Sequence, residues 1–214
     1  MPEQTLIREP RWPAFVAMLA AGCLYWALPE QLSVGPSWLL LVVIFVLLIP
    51  TVASHYGGYH NVARILLFVA SALITAAMIA SLAFLVQGLP RHTQPPGVLL
   101  RSAAALWITN VLVFALWYWK VDAGGPTSRD RARGKRDGAL HSSFLFPQMT
   151  GPTRDPNWTP QFVDYLFIAF NSSTAFSPTD TAVLSRGAKL AMMLQSLISL
   201  SIIALLAARA INIL

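Results

Sequence analysis

The sequence predicts an all-α integral membrane protein with about five transmembrane helices and one short re-entrant, pore-like helix and loop before the last span. Three observations lead to this fold class. Of the 214 residues, 56% are hydrophobic and only 11% are charged, whereas soluble domains carry about a quarter charged residues. Apolar runs near the roughly 20-residue length of a membrane span recur along the chain. One further apolar run, after Pro160, is too short to cross and is followed by hydroxyl residues.

Five apolar runs are interpreted as transmembrane helices, covering about residues 13–28, 38–52, 62–86, 98–119 and 188–214. The first run follows Arg8 and Arg11, as in a secretory signal, but it lacks a small-residue cleavage site before Pro29 and is interpreted as a retained span. The chain then divides into four regions: residues 1–119 with four spans, a polar basic linker at 120–159, the re-entrant segment at 160–181 and the last span within 182–214.

Tryptophans and small residues predict how these helices sit and pack. Tryptophans lie at the ends of the apolar runs, where an indole ring prefers the lipid headgroup level, so we expect interface anchors at Trp12, Trp26, Trp38, Trp117 and Trp119. In the third span, small residues recur at four-residue spacing and predict a face for close helix packing, at Ala72, Ala76 and Ala80 beside Ser71 and Thr75.

The net charge of +6 does not indicate a nucleic-acid partner, because the basic residues form no single face. Seven of the 15 Lys and Arg residues lie between Lys120 and Arg154. We expect this linker to be solvated around the run from Arg129 to Arg136, and its end to pack back on the membrane domain through Phe144, Phe146 and Pro147.

No motif for catalysis, metal binding or a cofactor is present, so an enzyme is not predicted. The single cysteine, Cys23, excludes an internal disulfide. The chain has no nucleophile elbow and no His-Glu-x-x-His helix. Asp164 and Asp180 are the only acids near the membrane segment after the linker, and the histidines are scattered at His55, His60, His92 and His141.

The segment after the linker predicts a half-helix. Thr159 before Pro160 is a typical helix start, with the threonine as N-cap and the proline at the first helical position. About ten apolar residues follow, and then Asn171-Ser172-Ser173-Thr174. A helix this short can enter a membrane and return as irregular chain only where protein or a water-filled cavity surrounds it.

Three motifs follow one another through roughly the last fifty residues. They are Asp164-Tyr165-Leu166-Phe167-Ile168-Ala169-Phe170, then Thr174-Ala175-Phe176-Ser177-Pro178-Thr179-Asp180, then Ser185-Arg186-Gly187-Ala188-Lys189, with Ala208-Arg209 near the end. Without a gap, they resemble the pore-loop region of tetrameric potassium channels, which typically runs Asp-Tyr-Leu-Tyr-Phe-Ser-Phe, a Thr-Thr-Val-Gly-Tyr-Gly-Asp filter and Ser-x-x-Ala-Arg. The resemblance implies that the fourth span is the outer helix, residues 162–171 the pore helix and the fifth span the lining helix. The chain also looks like a group of uncharacterised bacterial multi-pass membrane proteins that share Ala-Phe-Ser-Pro-Thr-Asp, a likeness that supplies no activity.

The filter-equivalent residues depart from the potassium-channel pattern. Ser177 and Thr179 replace the two glycines that let successive carbonyls face the axis, and Pro178 replaces the aromatic residue between them. We infer that the usual potassium filter cannot form. Side chains would act instead: the hydroxyls of this segment and, repeated around a symmetry axis, a cation-favouring ring of Asp180 carboxylates. The alternative is local, because Ser177 to Asp180 also matches a capping box that starts the fifth helix.

Polar residues in the spans leave two interpretations open. Gln195, Ser196 and Ser199 share one face of the fifth span, where they either line a pore or hydrogen-bond a neighbouring helix. The same two interpretations apply to Asn110 in the fourth span. Arg209 near the C-terminus can snorkel to the interface.

The resulting functional hypothesis is a homo-oligomeric, ion-channel-like, multi-pass protein of the cell (inner) membrane. It would conduct monovalent cations with weak selectivity, and its partners would be the lipid bilayer and further copies of the chain. The alternative is a non-conducting, channel-derived scaffold or accessory subunit. Two arguments on sidedness disagree: the distribution of Lys and Arg places the linker in the cytoplasm, whereas a channel pore loop enters from outside.

Overall fold

The computed structural model describes residues 9–56, 59–88, 95–132, 142–150, 152, 158–177 and 180–211. The chain is mostly helical, at 81%, which confirms the all-α class. Over the described residues, the helices are α1 (Trp12–Trp26), α2 (Ser37–Tyr56), α3 (His60–Gly88), α4 (Pro96–Val121), α5 (Pro126–Ala132), α6 (Phe162–Thr174) and α7 (Arg186–Ile211). Two short strands, β1 (Phe144–Leu145) and β2 (Ala182–Val183), form an antiparallel pair.

Each predicted apolar run is helical, with bounds close to those expected. By length and composition, three segments of the described chain can cross a membrane: Asn61–Gly88, Pro96–Asp130 and Arg186–Ala208. Two apolar helices, Trp12–Trp26 and Ser37–Ala53, are shorter.

Helix α4 is the centre of the fold. It contacts α1, α3, α6 and α7, and its side chains are buried on most sides over its last three turns. Helices α1 and α2 approach closely at Gly22, where a Cβ atom would lie 2.8 Å from Ile44 and 2.9 Å from Leu41. The core is therefore a helix bundle around α4, with α6 and α7 on one side of it and α1 to α3 on the other.

A glycine turn ends α4 and starts α5. The backbone takes positive φ angles at three successive residues, Ala123 (51°), Gly124 (76°) and Gly125 (89°). A Cβ atom on Gly125 would lie 2.9 Å from the carbonyl oxygen of Lys120, so only glycine fits there. The turn folds α5 back so that Arg129 reaches the end of α4.

Helix α6 runs from the end of α4 towards its middle. Its first turn contacts the turn after α4, where Tyr165 bonds Asp122. Its last turn bonds residues midway along α4 and α7, because Ser173 meets Asn110 and Gln195. The chain then reverses, and β2 after the helix pairs with β1 before it.

Helices α6 and α7 begin at other residues than the sequence signals suggest. Helix α6 begins at Phe162, two residues after Pro160, because the Asp164 carboxylate accepts the Gln161 backbone N–H at 2.7 Å and fixes Gln161 as the cap. The alternative in which Ser177 starts the last helix is wrong. Strand β2 intervenes, α7 begins at Arg186, and the hydroxyl of Ser185 accepts the Ala188 N–H at 3.2 Å.

The predicted alanine packing face on α3 is wrong within this chain. Ala72 and Ala76 are exposed and Ala80 is half-buried. The packed face is instead Ala70, Ile74 and Met78, each at most 1% exposed. Larger side chains bury more apolar area against α2 and α4, which favours this face.

The five tryptophans predicted as interface anchors differ in how exposed they are. Trp12, Trp26 and Trp38 are exposed at helix ends, where an interface anchor must lie. Trp119 is fully buried, so an anchor role for it is wrong. Trp117 is half-buried and donates its indole N–H to the Thr75 hydroxyl at 3.0 Å.

In the described part of the linker, two cations are buried rather than solvated. Lys120 is 4% exposed and Arg129 is 6% exposed, so both are buried. Phe144 and Phe146 pack into the core, as expected. Several predicted features fall outside the described residues, namely Pro178, Thr179, His92, His141 and the side chains of His55, His60 and Arg209.

Candidate functional site: two polar clusters and an exposed turn

A cluster of neutral polar groups holds the end of α6. We call it the amide cluster, and all its members are at most 2% exposed: Asn110, Tyr118, Ser173, Gln195 and Ser199. They come from the three helices α4, α6 and α7. The cluster forms because each helix places a polar side chain towards the same point within otherwise apolar surroundings.

Gln195 is the hub of the amide cluster. Its amide nitrogen donates to the Ala169 carbonyl at 2.7 Å and to the Ser173 hydroxyl at 2.8 Å. Its amide oxygen accepts the Tyr118 hydroxyl at 2.5 Å. One side chain of α7 therefore fixes both α4 and α6.

Three further contacts close the amide cluster. The Ser199 hydroxyl donates to the Ser173 carbonyl at 2.7 Å and accepts the Trp107 indole N–H at 3.0 Å. The Asn110 amide donates to the Gln195 carbonyl at 3.2 Å. The Asn110 amide oxygen has no hydrogen-bond partner among the described residues.

A second cluster, at the end of α4, carries charges. We call it the charged cluster, and it consists of Glu9, Trp119, Asp122, Arg129 and Tyr165. These residues come from the segment before α1, the end of α4, the turn after it, α5 and the first turn of α6. All five are at most 6% exposed.

The Arg129 guanidinium bridges the elements of the charged cluster. It donates to both oxygens of the Glu9 carboxylate, at 3.1 and 2.9 Å. It also donates to the carbonyl oxygens of Trp119 (3.0 Å) and Asp122 (2.8 Å). The Trp119 indole N–H donates to the same Glu9 carboxylate at 2.5 Å. The ion pair is thus bidentate, and its remaining hydrogen-bonding groups are satisfied by the Trp119 indole donor and two backbone carbonyl acceptors, as a buried pair requires.

The Asp122 carboxylate joins this cluster to the start of α6 and to β1. One oxygen accepts the Tyr165 hydroxyl at 2.6 Å. The other accepts the Ser143 N–H at 2.6 Å and the Ser142 hydroxyl at 2.8 Å. Burial raises the pKa of the Tyr165 phenol, so the phenol keeps the proton that it donates. Burial likewise raises the pKa of the half-buried Asp164 carboxyl, against two backbone hydrogen bonds that lower it.

The turn after α6 carries the filter-equivalent residues. Thr174, Ala175 and Asp180 are exposed. Phe176 is 49% exposed with a φ angle of 53°, and Ser177 is half-buried. The turn therefore presents a carboxylate, hydroxyls and one aromatic ring on the surface of the single chain.

The candidate pore-lining residues of α7 lie on its inner face. Gln195 and Ser199 are buried and Ser196 is half-buried, with its hydroxyl 3.2 Å from the Ser172 carbonyl. The outward face of α7 is apolar and consists of Leu190, Met193, Leu194, Leu197 and Leu200, each at least 45% exposed.

The sequence interpretation missed the charged cluster. Glu9 and Arg129 lie 120 residues apart, so spacing did not suggest their pairing. A local signal was present: Asp122 follows the aromatic end of the fourth apolar run and precedes Gly124-Gly125-Pro126, which predicts a turn holding an acid at the membrane edge.

Over the described residues, no group of three His, Cys, Asp or Glu side chains could hold a metal ion. Comparison with protein-family models, with curated proteins and with solved structures gives no match to this chain.

Proposed function

We propose that the protein is a homo-oligomeric, channel-like protein of the cell (inner) membrane that conducts monovalent cations with weak selectivity. In this proposal α1, α2, α3, α4 and α7 cross the bilayer and α6 is a re-entrant half-helix. The observation that carries the proposal is the position of α6 between α4 and α7, ending midway along both helices in an exposed polar turn.

The path of the chain around α6 supports the re-entrant assignment. The helix starts beside the end of α4 and stops at the amide cluster. The pairing of Leu145 with Ala182 then brings the chain back to the side from which it entered. Irregular backbone within a bilayer requires surrounding protein or water. In this proposal, neighbouring copies of the chain would surround the segment from Thr174 to Asp180.

The exposed turn supports a cation pathway. Asp180 is exposed in the single chain, so rotation of several copies about an axis beside the turn would form a carboxylate ring. Such a ring attracts cations. The exposed apolar face of α7 suits contact with a neighbouring copy or the wall of a pore below the ring.

The amide cluster has a positioning role in this proposal. Gln195 and Ser199 donate hydrogen bonds to α6 and accept hydrogen bonds from α4, so in this proposal they hold the half-helix rather than contact ions. Beside them, the half-buried Ser196 donates its hydroxyl to the backbone carbonyl of the buried Ser172.

Ion flux into liposomes tests the proposal. Reconstituted protein should pass potassium and sodium at similar rates and chloride more slowly. Asp180→Asn should reduce cation flux several-fold, because it neutralises the ring. Glu30→Gln is the matched control. Glu30 is exposed just after the C-terminal end of α1, so this variant should leave flux unchanged.

The alternative is a non-conducting scaffold or accessory subunit. The Phe176 ring, 49% exposed at the turn, favours it, because exposed aromatic side chains are enriched where proteins contact partner proteins. Folded, oligomeric protein that gives no flux would support the scaffold and refute the channel.

A further inference from the structure

A basic cavity lies at the membrane edge of the bundle, apart from α6 and its turn. It has a volume of about 80 Å³ and lies between the start of α3, the end of α4 and the start of α5. Three cations line it: Arg11, Arg64 and Lys120. No Asp or Glu is among its lining residues in the part of the chain that the structure describes.

Lys120 is the unusual member of the cavity wall. It is 4% exposed. Its ammonium group donates to the Leu67 carbonyl at 3.0 Å and lies 4.9 and 4.5 Å from the ring centres of Phe68 and Trp117. An ammonium has three donors, and no carboxylate pairs with this one among the described residues. Burying an ammonium without an anion is costly, so an anion in the cavity would stabilise it.

The other two cations differ in how they are held. Arg64 is exposed at the rim, and its guanidinium lies 5.9 Å from the Phe68 ring centre. Among the described residues it has no ion-pair partner. Arg11 is held by the Asp130 carboxylate at 3.3 Å. Arg64 therefore brings to the cavity a guanidinium group, which can bind a phosphate through two N–H donors.

The size and position of the cavity suit a phosphate group. A water needs about 10–15 Å³ of this kind of volume, so about 80 Å³ admits several heavy atoms. Thr127 and Asn61, which carry neutral polar side chains, are also among the lining residues. Helices α3 and α4 belong to segments that can cross a membrane, so their ends lie where lipid headgroups carry phosphate.

We propose that this cavity binds a phosphate-class anion between Lys120 and Arg64, either the headgroup of an anionic lipid or free phosphate. The site is independent of ion conduction. It ties α3 to the turn after α4, and an anion there would stabilise the end of the bundle that also carries the charged cluster.

Thermal unfolding of the full chain in detergent tests the proposal, with three probes: short-chain phosphatidylglycerol, short-chain phosphatidylcholine and inorganic phosphate. Phosphatidylglycerol should raise the unfolding temperature in a saturable way and phosphatidylcholine should do so far less. Stabilisation by phosphatidylglycerol alone identifies a lipid site, and equal stabilisation by inorganic phosphate identifies a site for the free anion.

Charge-neutralising variants locate the effect. Arg64→Gln should weaken binding about five-fold, from roughly 1 kcal/mol per cation near a membrane surface. Arg186→Gln is the matched control, an exposed arginine at the same end of the bundle and outside the cavity, and it should bind like the wild type. Lys120→Gln should weaken binding further. Lys120 is buried, so if Lys120→Gln does not fold, the binding of Arg64→Gln decides the test. Absence of stabilisation by both anions, or equal losses in Arg64→Gln and Arg186→Gln, would overturn the proposal.

Discussion

The charged cluster and the amide cluster hold the two ends of α6 by different chemistry. At the start of the helix, Asp122 and Arg129 are ions, and each is satisfied by several partners. At the end of the helix, Gln195 and Ser173 are neutral and exchange hydrogen bonds of 2.7 to 2.8 Å with their neighbours. Charges are costly at the centre of a bilayer and less so near its edge. In the proposed re-entrant arrangement, α6 would thus be held by ions where it enters the bilayer and by amides and hydroxyls where it stops.

The largest expected effect comes from removing the bridge of the charged cluster. Arg129→Met leaves the Glu9 carboxylate buried without its cation, and we expect a loss of about 3–5 kcal/mol in the free energy of unfolding. Unfolding in mixed micelles, followed by tryptophan fluorescence, measures it.

The control for Arg129→Met is a neighbouring ion pair that is more exposed to solvent. Arg11 and Asp130 are 17% and 15% exposed at the side chain and lie 3.3 Å apart. Arg11→Gln should cost about 0–1 kcal/mol. Equal losses in the two variants would show that burial does not distinguish these pairs.

A matched pair of tyrosines gives a smaller and sharper test. Tyr165 and Tyr118 are both at most 2% exposed and each donates its hydroxyl to one side chain, Asp122 or Gln195. Tyr165→Phe removes a bond to a carboxylate and should cost about 1.5–3 kcal/mol. Tyr118→Phe removes a bond to an amide in a helix long and apolar enough to cross a membrane, and should cost about 0.6 kcal/mol. The same unfolding assay measures both, and a larger loss for Tyr118→Phe would contradict the comparison.

The sequence predicted the helices because apolar runs and their ends are local signals. The bounds of α3 and α4 lie within two residues of the expected runs. The buried face of α3 was missed because the alanine spacing cannot tell which side meets α2 and α4. The start of α6 shifted because Asp164 reaches the Gln161 N–H, which competes with the Thr159-Pro160 signal.

The candidate site was predictable only in part. The shared face of Gln195 and Ser199 was visible in the sequence, but their partner, Ser173, follows from how α6 docks. The pairing of Glu9 with Arg129 depends on the turn at Gly125, which folds α5 back against α4. Such long-range contacts leave no periodic pattern in the sequence. The helices could therefore be predicted, but the contacts that join them could not.

The most direct test of the central claim is disulfide cross-linking at Asp180. In a Cys23→Ser background, which removes the single native thiol, Asp180→Cys protein in native membranes should form covalent dimers on mild oxidation, because the proposed assembly brings the turns of several copies together around one axis. Glu30→Cys, exposed at the other end of α1, should remain monomeric. If Asp180→Cys remains monomeric while a lipid-phase reagent modifies its thiol, the turn faces lipid and the channel-like assembly is wrong.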